Sequence, residues 1–383
     1  MRISPQNFRL VLQRLNSQFR KVFMKDIKQT REKINEIDAK IRELFTERME
    51  AARDVAEYKA AHGLPVCDAK REAEVIEGNV SKLASEELKP YYVSFLRESM
   101  AISRNYQDML MKGMKVAYSG VTGAFAYIAA RKLFPSARYI SYPNFERAYE
   151  ACVRGECDIA VLPIENSCNG EVGAVTDLMF SGSLKINGIT EIDITHCLLG
   201  CKGATLADIK KVISHPQALA QCKDYIRSHE FLEEEFENTA MAAEAVAAAN
   251  DTTLGAIASE EAARLFGLEV LEKNINASRS NTTRFAVFSR SEHKHTASES
   301  GIHSIILFTV KNEAGALAKA LDIIGKHGFN MRALRSRPMK ELLWQYYFYV
   351  EAEGNAHSRE GARLLEDLSD FCDNLKCVGT FTK

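Results

Sequence analysis

Residues 26–62 carry a sustained heptad of apolar side chains, and no other segment limits the fold as strongly. Ile27, Ile34, Ile41 and Val55 share one heptad position, and Ile37, Leu44, Ala51 and Tyr58 share the other. That spacing is the seam of a helix that packs lengthwise against another helix. At 1.5 Å per residue, about 36 residues extend roughly 54 Å, longer than a small domain is wide. Gly63-Leu64-Pro65 stops the helix, Asp68 is set to cap a second one, and Pro90 opens a third that runs to about Met111. Three helices, one of them overlong, cannot cover their own apolar surface. A dimer that shares the long helix is the expectation.

Arg48 breaks the seam, standing where Ile27, Ile34, Ile41 and Val55 stand in other heptads. A buried guanidinium needs an anion, because an unpaired buried charge costs about 3–5 kcal/mol. By itself Arg48 reads equally well as a side chain that reaches the surface or pairs with a nearby Glu. Other polar groups share its helical faces, however. Lys59 follows eleven residues later, three turns along, and Ser103 and Gln107 sit at i and i+4 on a stripe with Leu96, Met100 and Leu110. Arg31 opens the long helix, and Asp68, Arg71 and Glu72 open the second. Cations facing a helical core together with Gln, Ser and Glu describe a pocket for a small dianion that carries a hydroxyl.

From Lys115 the pattern changes to short β-rich runs (115–118, 158–162, 212–214, 254–258) alternating with helical ones (124–133, 145–153, 239–249). Such alternation over about 175 residues predicts an α/β fold with mainly parallel sheets, in two lobes. Extended stretches at 184–199 and 284–288 are candidate crossings between the lobes. Residues 291–300 are polar and aperiodic and read as a linker. After it, strand, helix, strand, strand, helix, strand follow in the ferredoxin-like order βαββαβ. The expected domains are therefore 26–112, 114–290 and 301–383, in keeping with the length of 383 residues.

Composition removes several function classes. Fifty basic and 51 acidic residues nearly cancel, so no bulk field recruits nucleic acid or a membrane, and anion binding is expected from locally placed cations. Nine cysteines include no C-x-x-C pair and no zinc-like frame with His, which suits reduced thiols in a cytoplasmic protein without metal or cofactor. No apolar run approaches the ~20 residues of a membrane span. Residues 1–25 contain Arg2, Arg9, Arg14, Arg20, Lys21 and Lys25 but no acid. They read as a transit-like leader or, preferably, as sequence upstream of a true start at Met24, and as a disordered extension to the fold.

Three motifs mark the middle region. Pro163-Ile164-Glu165-Asn166-Ser167 follows a buried strand and so lies where α/β sites form. Ser214-His215-Pro216-Gln217 also follows a strand, with Pro216 suited to a first helical turn whose N–H groups can donate to a carboxylate. Asn281-Thr282-Thr283-Arg284-Phe285 is the third. Taken singly, Thr283 is an ordinary β-branched strand residue and His215 a turn histidine. Gly120-Val121-Thr122-Gly123 lacks both G-x-G-x-x-G and a Walker lysine, so it is no nucleotide loop.

On these residues the chain resembles the bifunctional chorismate mutase–prephenate dehydratase family along its length from about residue 26. The helical part resembles the all-helical chorismate mutases through Arg31, Glu47-Arg48, Lys59, Val66, Asp68, Arg71-Glu72, Ser103 and Gln107. The resemblance implies an intertwined homodimer with Arg31 reaching in from the partner, and Arg48, Arg71 and Ser103 on the substrate carboxylates. It also puts Lys59 and Gln107 on the breaking ether, and Glu72 with the Asp68 region on the hydroxyl. A pericyclic rearrangement needs no nucleophile, only a compact conformer and donors where charge develops. The segments V-A-Y-x-G…G-A-F, PIENS, SHPQALAQC and TRF resemble prephenate dehydratases, which implies that Thr283 protonates the departing hydroxyl while Asn166, Ser167 and Gln217 line the cleft. Ala126 stands where that family usually has Ser. The last region resembles ACT domains, and implies a phenylalanine effector site at Gly315, Ala316, Leu317, Ser336, Arg337 and Pro338, with Arg335 where the family has Glu. A dehydratase acting on arogenate, and a two-lobed binding protein without catalysis, are the alternatives.

Overall fold

The computed structural model describes residues 27–277, 280–293, 301–339 and 345–382, which fall into two compact units divided in sequence at Met111 and Lys112. The expected extension at 1–25 and all of the expected linker except 291–293 lie outside the described residues.

The first unit is three helices, Ile27–Ala61, Ala69–Val80 and Lys89–Lys112, as the heptad and stop signals predict. Arg53 donates to the Tyr106 hydroxyl at 2.9 Å and ties the long helix to the third. Among the described residues of this unit, only Ala52, Ala56, Met100, Ser103 and Gln107 are buried. The heptad seam is not an interior in one chain: Ile27 is 65% exposed, Leu44 62% and Ile34 50%. Arg48 is exposed with them, so within one chain it is not a buried charge.

The second unit holds three sheets. The first runs Arg138–Tyr142, Lys115–Ser119, Ile159–Asn166, Thr282–Ser289, Lys185–Asp193, with the short strand Gly170–Glu171 beside Ile159–Asn166. Its first three strands are parallel, and Thr282–Ser289 is antiparallel to both neighbours. The second runs Glu269–Glu272, Cys197–Gly200, Leu254–Ala258, Lys211–Ser214, Leu232–Glu235. These are the two lobes that the strand–helix alternation predicts. The chain crosses to the second lobe between Asp193 and Cys197, inside the stretch 184–199, and returns between Glu272 and Thr282. The segment 284–288 is therefore no crossing; its apolar side chains are buried within the first sheet.

The third sheet, Asn330–Pro338, Tyr346–Glu353, Ile302–Thr309, Asp373–Thr382, is antiparallel and, with helices Ala316–Lys326 and Arg359–Phe371, completes the ferredoxin-like fold. It is welded to the first lobe. Ile305, Leu307, Tyr347, Tyr349, Val378 and Phe381 belong to one hydrophobic cluster with Ala160, Leu162, Ile186 and Phe288. Gly379 permits that approach, since a Cβ there would collide with the Ile186 carbonyl. Among the described residues, no helix is long and apolar enough to cross a membrane.

Candidate active sites

In the helical unit, Ser103 and Gln107 are buried one turn apart on the third helix. Lys59, in the last turn of the long helix, donates to Gln107 Oε1 at 3.2 Å and to the Val66 carbonyl at 2.5 Å. An ammonium only donates, so Gln107 must turn Oε1 toward Lys59 and leave its Nε2 hydrogens free. Ser103 Oγ donates to the Ser99 carbonyl at 3.0 Å. Asp68 is the expected cap: it accepts the Arg71 N–H at 3.0 Å. Glu72 is gripped by Arg104 Nη1 through both oxygens at 2.5 Å, a partner on the third helix that no local pattern signals. The Arg71 guanidinium lies on an exposed face, 3.5 Å from Glu74. Arg31 and Arg48 are exposed and form no ion pair among the described residues. One chain thus joins Lys59 with Gln107, and leaves the three arginines on its surface.

In the α/β unit a cavity of about 460 Å³ is bordered by both lobes. The first four residues of the motif PIENS lie inside a strand rather than after one, Ser167 follows its end, and Pro163 cannot donate to the ladder. The register with Thr282–Ser289 slips there, so that Arg284 faces Glu165 while Phe285 faces Pro163. Beyond this bulge Asn166 and Thr283 stand directly opposite each other at the end of the sheet, the kind of re-aiming that bulges give beside active sites. Asn166 Nδ2 donates to Thr283 Oγ at 2.9 Å and to Asn281 Oδ1 at 2.8 Å. Its Oδ1 accepts from the N–H groups of Cys168 and Asn169, each at 3.0 Å.

Asn166, Gln217 and Thr283 line the cavity, as the motifs predict. Ser167 does not. It is exposed, donates to the Ser280 carbonyl at 2.6 Å and accepts the Thr282 N–H at 2.9 Å, so it clamps two loops. The cause is the strand period: Asn166 points inward and its neighbour outward. Ala126 is buried in a core with Val116, Tyr118 and Ala129, and it is Ala124 and Phe125 that border the cavity. His196 and Gln221 complete the polar wall, with Asn281 bonded to Gln221. His196 Nε2 lies 2.9 Å from Gln221 Oε1, and Asn281 Nδ2 donates to the same oxygen at 2.9 Å. Burial lowers the His196 pKa below the usual imidazole range, a shift its bond to Gln221 only partly offsets. Gln221 sits inside SHPQALAQC one turn past Gln217 and was findable from that spacing, whereas His196 has no local signal.

Anion binding was expected to rest on cations, yet among the described residues the cavity lining includes no Lys or Arg. Beside the Glu171 carboxylate, which Arg337 approaches to 3.4 Å, it offers amides, hydroxyls and the starts of helices: Ala124 and Phe125 open Phe125–Leu133, and Asn238 and Thr239 open Thr239–Ala249. Free N–H groups there favour negative charge. Among the described residues no group of His, Cys, Asp and Glu could hold a metal ion.

On the third sheet, Gly315 takes a left-handed φ of 83° at the start of Ala316–Lys326, Ala316 is buried and Leu317 packs on the domain core. Ser336 and Pro338 are exposed. Arg337 faces the other way. It donates through Nε to Asp177 Oδ1 at 2.9 Å and to the Tyr347 hydroxyl at 3.1 Å, and its Nη1 is 3.4 Å from Glu171. Arg335 pairs with Glu165. Glu165 also takes Arg284 at 3.1 Å, and Arg284 grips Glu351 at 2.8 and 2.9 Å. Burial pushes the Glu351 carboxyl up, but the bonds and charge of Arg284 outweigh it and hold it below its ordinary value.

Comparison with known proteins divides the chain into three parts. A chorismate mutase type II model matches residues 30–108, a prephenate dehydratase model 116–293 and an ACT domain model 304–370. The chain is 34% identical over 369 residues to the bifunctional chorismate mutase/prephenate dehydratase of Aquifex aeolicus, across 94% of this chain and 99% of that one. It is 33% identical over 277 residues to arogenate dehydratase/prephenate dehydratase 2, chloroplastic, of Arabidopsis thaliana, across 70% and 72%. The solved prephenate dehydratase of Arthrobacter aurescens in complex with L-Phe matches with 27% identity and a TM-score of 0.65, across 70% of this chain and 90% of that one.

Proposed function

The chain belongs to the bifunctional chorismate mutase/prephenate dehydratase family, and from that premise we infer that it makes phenylpyruvate from chorismate in two steps, under feedback by phenylalanine. The helical unit, assigned to 26–112, rearranges chorismate to prephenate. Lys59 and the free Nε2 hydrogens of Gln107 stabilise the ether oxygen as its bond breaks. Arg48, Arg71 and Ser103 hold the carboxylates, Arg31 comes from a second copy, and Glu72 with the Asp68 backbone takes the hydroxyl. Eight apolar side chains exposed on the long helix (Ile27, Ile34, Ile37, Ile41, Leu44, Phe45, Val55 and Tyr58) support a homodimer. Fully burying one Val, Leu, Ile or Phe is worth roughly 1.5–3 kcal/mol.

The α/β region, assigned to 114–290, dehydrates prephenate. One observation carries this step: Thr283 Oγ already accepts a hydrogen bond from Asn166, so its own proton is left for the cavity. Thr283 gives that proton to the departing hydroxyl. The electron pair comes from the bond to the ring carboxylate, which leaves as carbon dioxide while the ring becomes aromatic. Asn166 stabilises the resulting Thr283 alkoxide. Arogenate is the weaker reading, because Ala126 faces the core and the relative that covers the mutase region as well carries the bifunctional name. The region assigned to 301–383 senses phenylalanine through the Gly315–Leu317 turn and Ser336-Arg337-Pro338. Arg335 on Glu165, and Arg337 on Glu171 and Asp177, give it a direct path to the catalytic strand. The reactions suit a cytoplasmic enzyme.

The test is a steady-state assay with chorismate, prephenate and arogenate as separate substrates. Phenylpyruvate is expected from the first two. Binding without turnover would replace the enzyme by a receptor, and faster turnover of arogenate would change the substrate.

A further inference from the structure

The dehydratase reading of the cavity gives Thr283, Asn166 and Gln217 a task and leaves His196, Gln221 and Asn281 without one. All six line the cavity or bond directly to a residue that does. Four amide and imidazole groups form an unbroken chain, Asn166 to Asn281 to Gln221 to His196, and each link has a direction that donors and acceptors dictate.

The direction is set at one point. Asn166 Oδ1 is held by two backbone N–H groups, Cys168 and Asn169, and a backbone N–H can only donate. Asn166 therefore turns Nδ2 toward Asn281, which must answer with Oδ1 at 2.8 Å. Asn281 then has only Nδ2 left for Gln221, and Gln221 must answer with Oε1 at 2.9 Å. That oxygen also takes the His196 Nε2–H at 2.9 Å. His196 is consequently the Nε2–H tautomer, and its Nδ1 is buried without a partner. Reversing the Gln221 amide would set its NH2 against two other donors. The reversal is blocked unless Asn166 also turns away from both backbone groups.

We propose that Asn281 and His196 are positioning residues for the Gln221 amide: Asn281 sets its direction and the His196 Nε2–H pins its oxygen in place, so that its Nε2 hydrogens are presented to the anionic oxygens of the substrate. The inference rests on the dehydratase reading of the same cavity. Gln221 Nε2 has no protein partner among the described residues, and Gln221 lines the cavity. The same anchor at Asn166 orients Thr283, so the proton donor and the carboxylate donor are locked in register from one point.

The test is a coupling experiment on the full-length protein. His196→Phe keeps a ring of similar size and removes the donor to Gln221. It is expected to raise KM for prephenate about ten-fold, the scale of one lost hydrogen bond, with a smaller change in kcat. His196→Gln, whose amide can still donate, is expected to recover most of that loss. In a Gln221→Ala background the His196→Phe change is expected to cost nothing further, because the group it directs is gone. Thermal melting and phenylalanine binding of the same variants report whether the α/β unit that holds the cavity is intact. An equal loss in both backgrounds, or an unchanged KM in His196→Phe, would overturn the proposal while leaving the dehydratase reading in place. A wild-type protein that does not dehydrate prephenate would remove that reading and the proposal with it.

Discussion

The helical unit and the α/β unit both handle dicarboxylates, and they go about it in opposite ways. The first sets cations (Arg31, Arg48, Arg71) on helix faces that one chain leaves open, with five buried residues among those described. The second encloses about 460 Å³ between two sheets, and its described lining holds the Glu171 carboxylate but no Lys or Arg, so anion binding there relies on amides and hydroxyls whose direction is fixed by bonds such as Asn166 to Asn281. Charge is strong at a distance and needs little alignment, so it suits a site assembled from two copies. Dipoles work only when aimed. They suit a site built inside one fold, where the strand register holds Asn166 opposite Thr283.

The largest effects should fall cleanly on one unit or the other. Arg48→Ala is expected to abolish measurable chorismate consumption while added prephenate is dehydrated at the wild-type rate. Equal loss of both activities would end the claim that the units act independently. Thr283→Val keeps the β-branched shape and removes the hydroxyl. Dehydration should fall about 10²- to 10⁴-fold, the range for a positioned acid, with chorismate consumption untouched. A valine variant that turns prephenate over normally would reduce Thr283 to a strand residue.

How much of this was legible in the sequence follows the same division. The heptad of Ile27, Ile34 and Ile41 foretold both a long helix and an apolar seam that three helices could not cover, and in one chain that seam is exposed. Asn166 and Thr283 were readable from motifs at the ends of strands. Ser167 was misjudged because adjacency in a motif says nothing about which side of a strand a residue takes. His196 and Arg104 had no signal at all. The first reaches Gln221 through the fold of the second lobe, and the second reaches Glu72 from another helix. Arg335, where the family has Glu, pairs with Glu165 of the first lobe, a contact that no local pattern signals.

Ionic strength separates the two designs without a mutation. Raising salt from about 0.05 to 0.5 M shortens the screening length from over 10 Å to below 5 Å. The mutase kcat/KM should drop several-fold, because its arginines are exposed and the substrate approaches through solvent. The dehydratase kcat/KM should change less than two-fold by the same screening rule, since aimed amides carry no net charge. Parallel salt slopes for chorismate and prephenate would break the contrast between charge and dipole.

The smallest expected effect concerns the seam between the effector domain and the catalytic strand. Glu165 precedes Asn166, and it is held both by Arg284, which follows Thr283 in the neighbouring strand, and by Arg335 of the third sheet. Phenylalanine can inhibit only by favouring one arrangement of this region over another. Arg335→Ala removes one of the two grips and leaves the Arg284 bonds to Glu165 and Glu351, so the strand stays in place and basal turnover should barely move. What weakens is the transmission. Residues on such a path typically alter coupling by about 0.5–2 kcal/mol. With Arg284 still on Glu165 the lower end applies, about a two- to three-fold rise in the phenylalanine needed for half inhibition of prephenate turnover. Calorimetry separates the causes: an unchanged affinity for phenylalanine with weaker inhibition identifies Arg335 as part of the path. A matching loss of affinity would instead make Arg335 part of the effector site, and unchanged inhibition would confine the coupling to Arg337, Glu171 and Asp177.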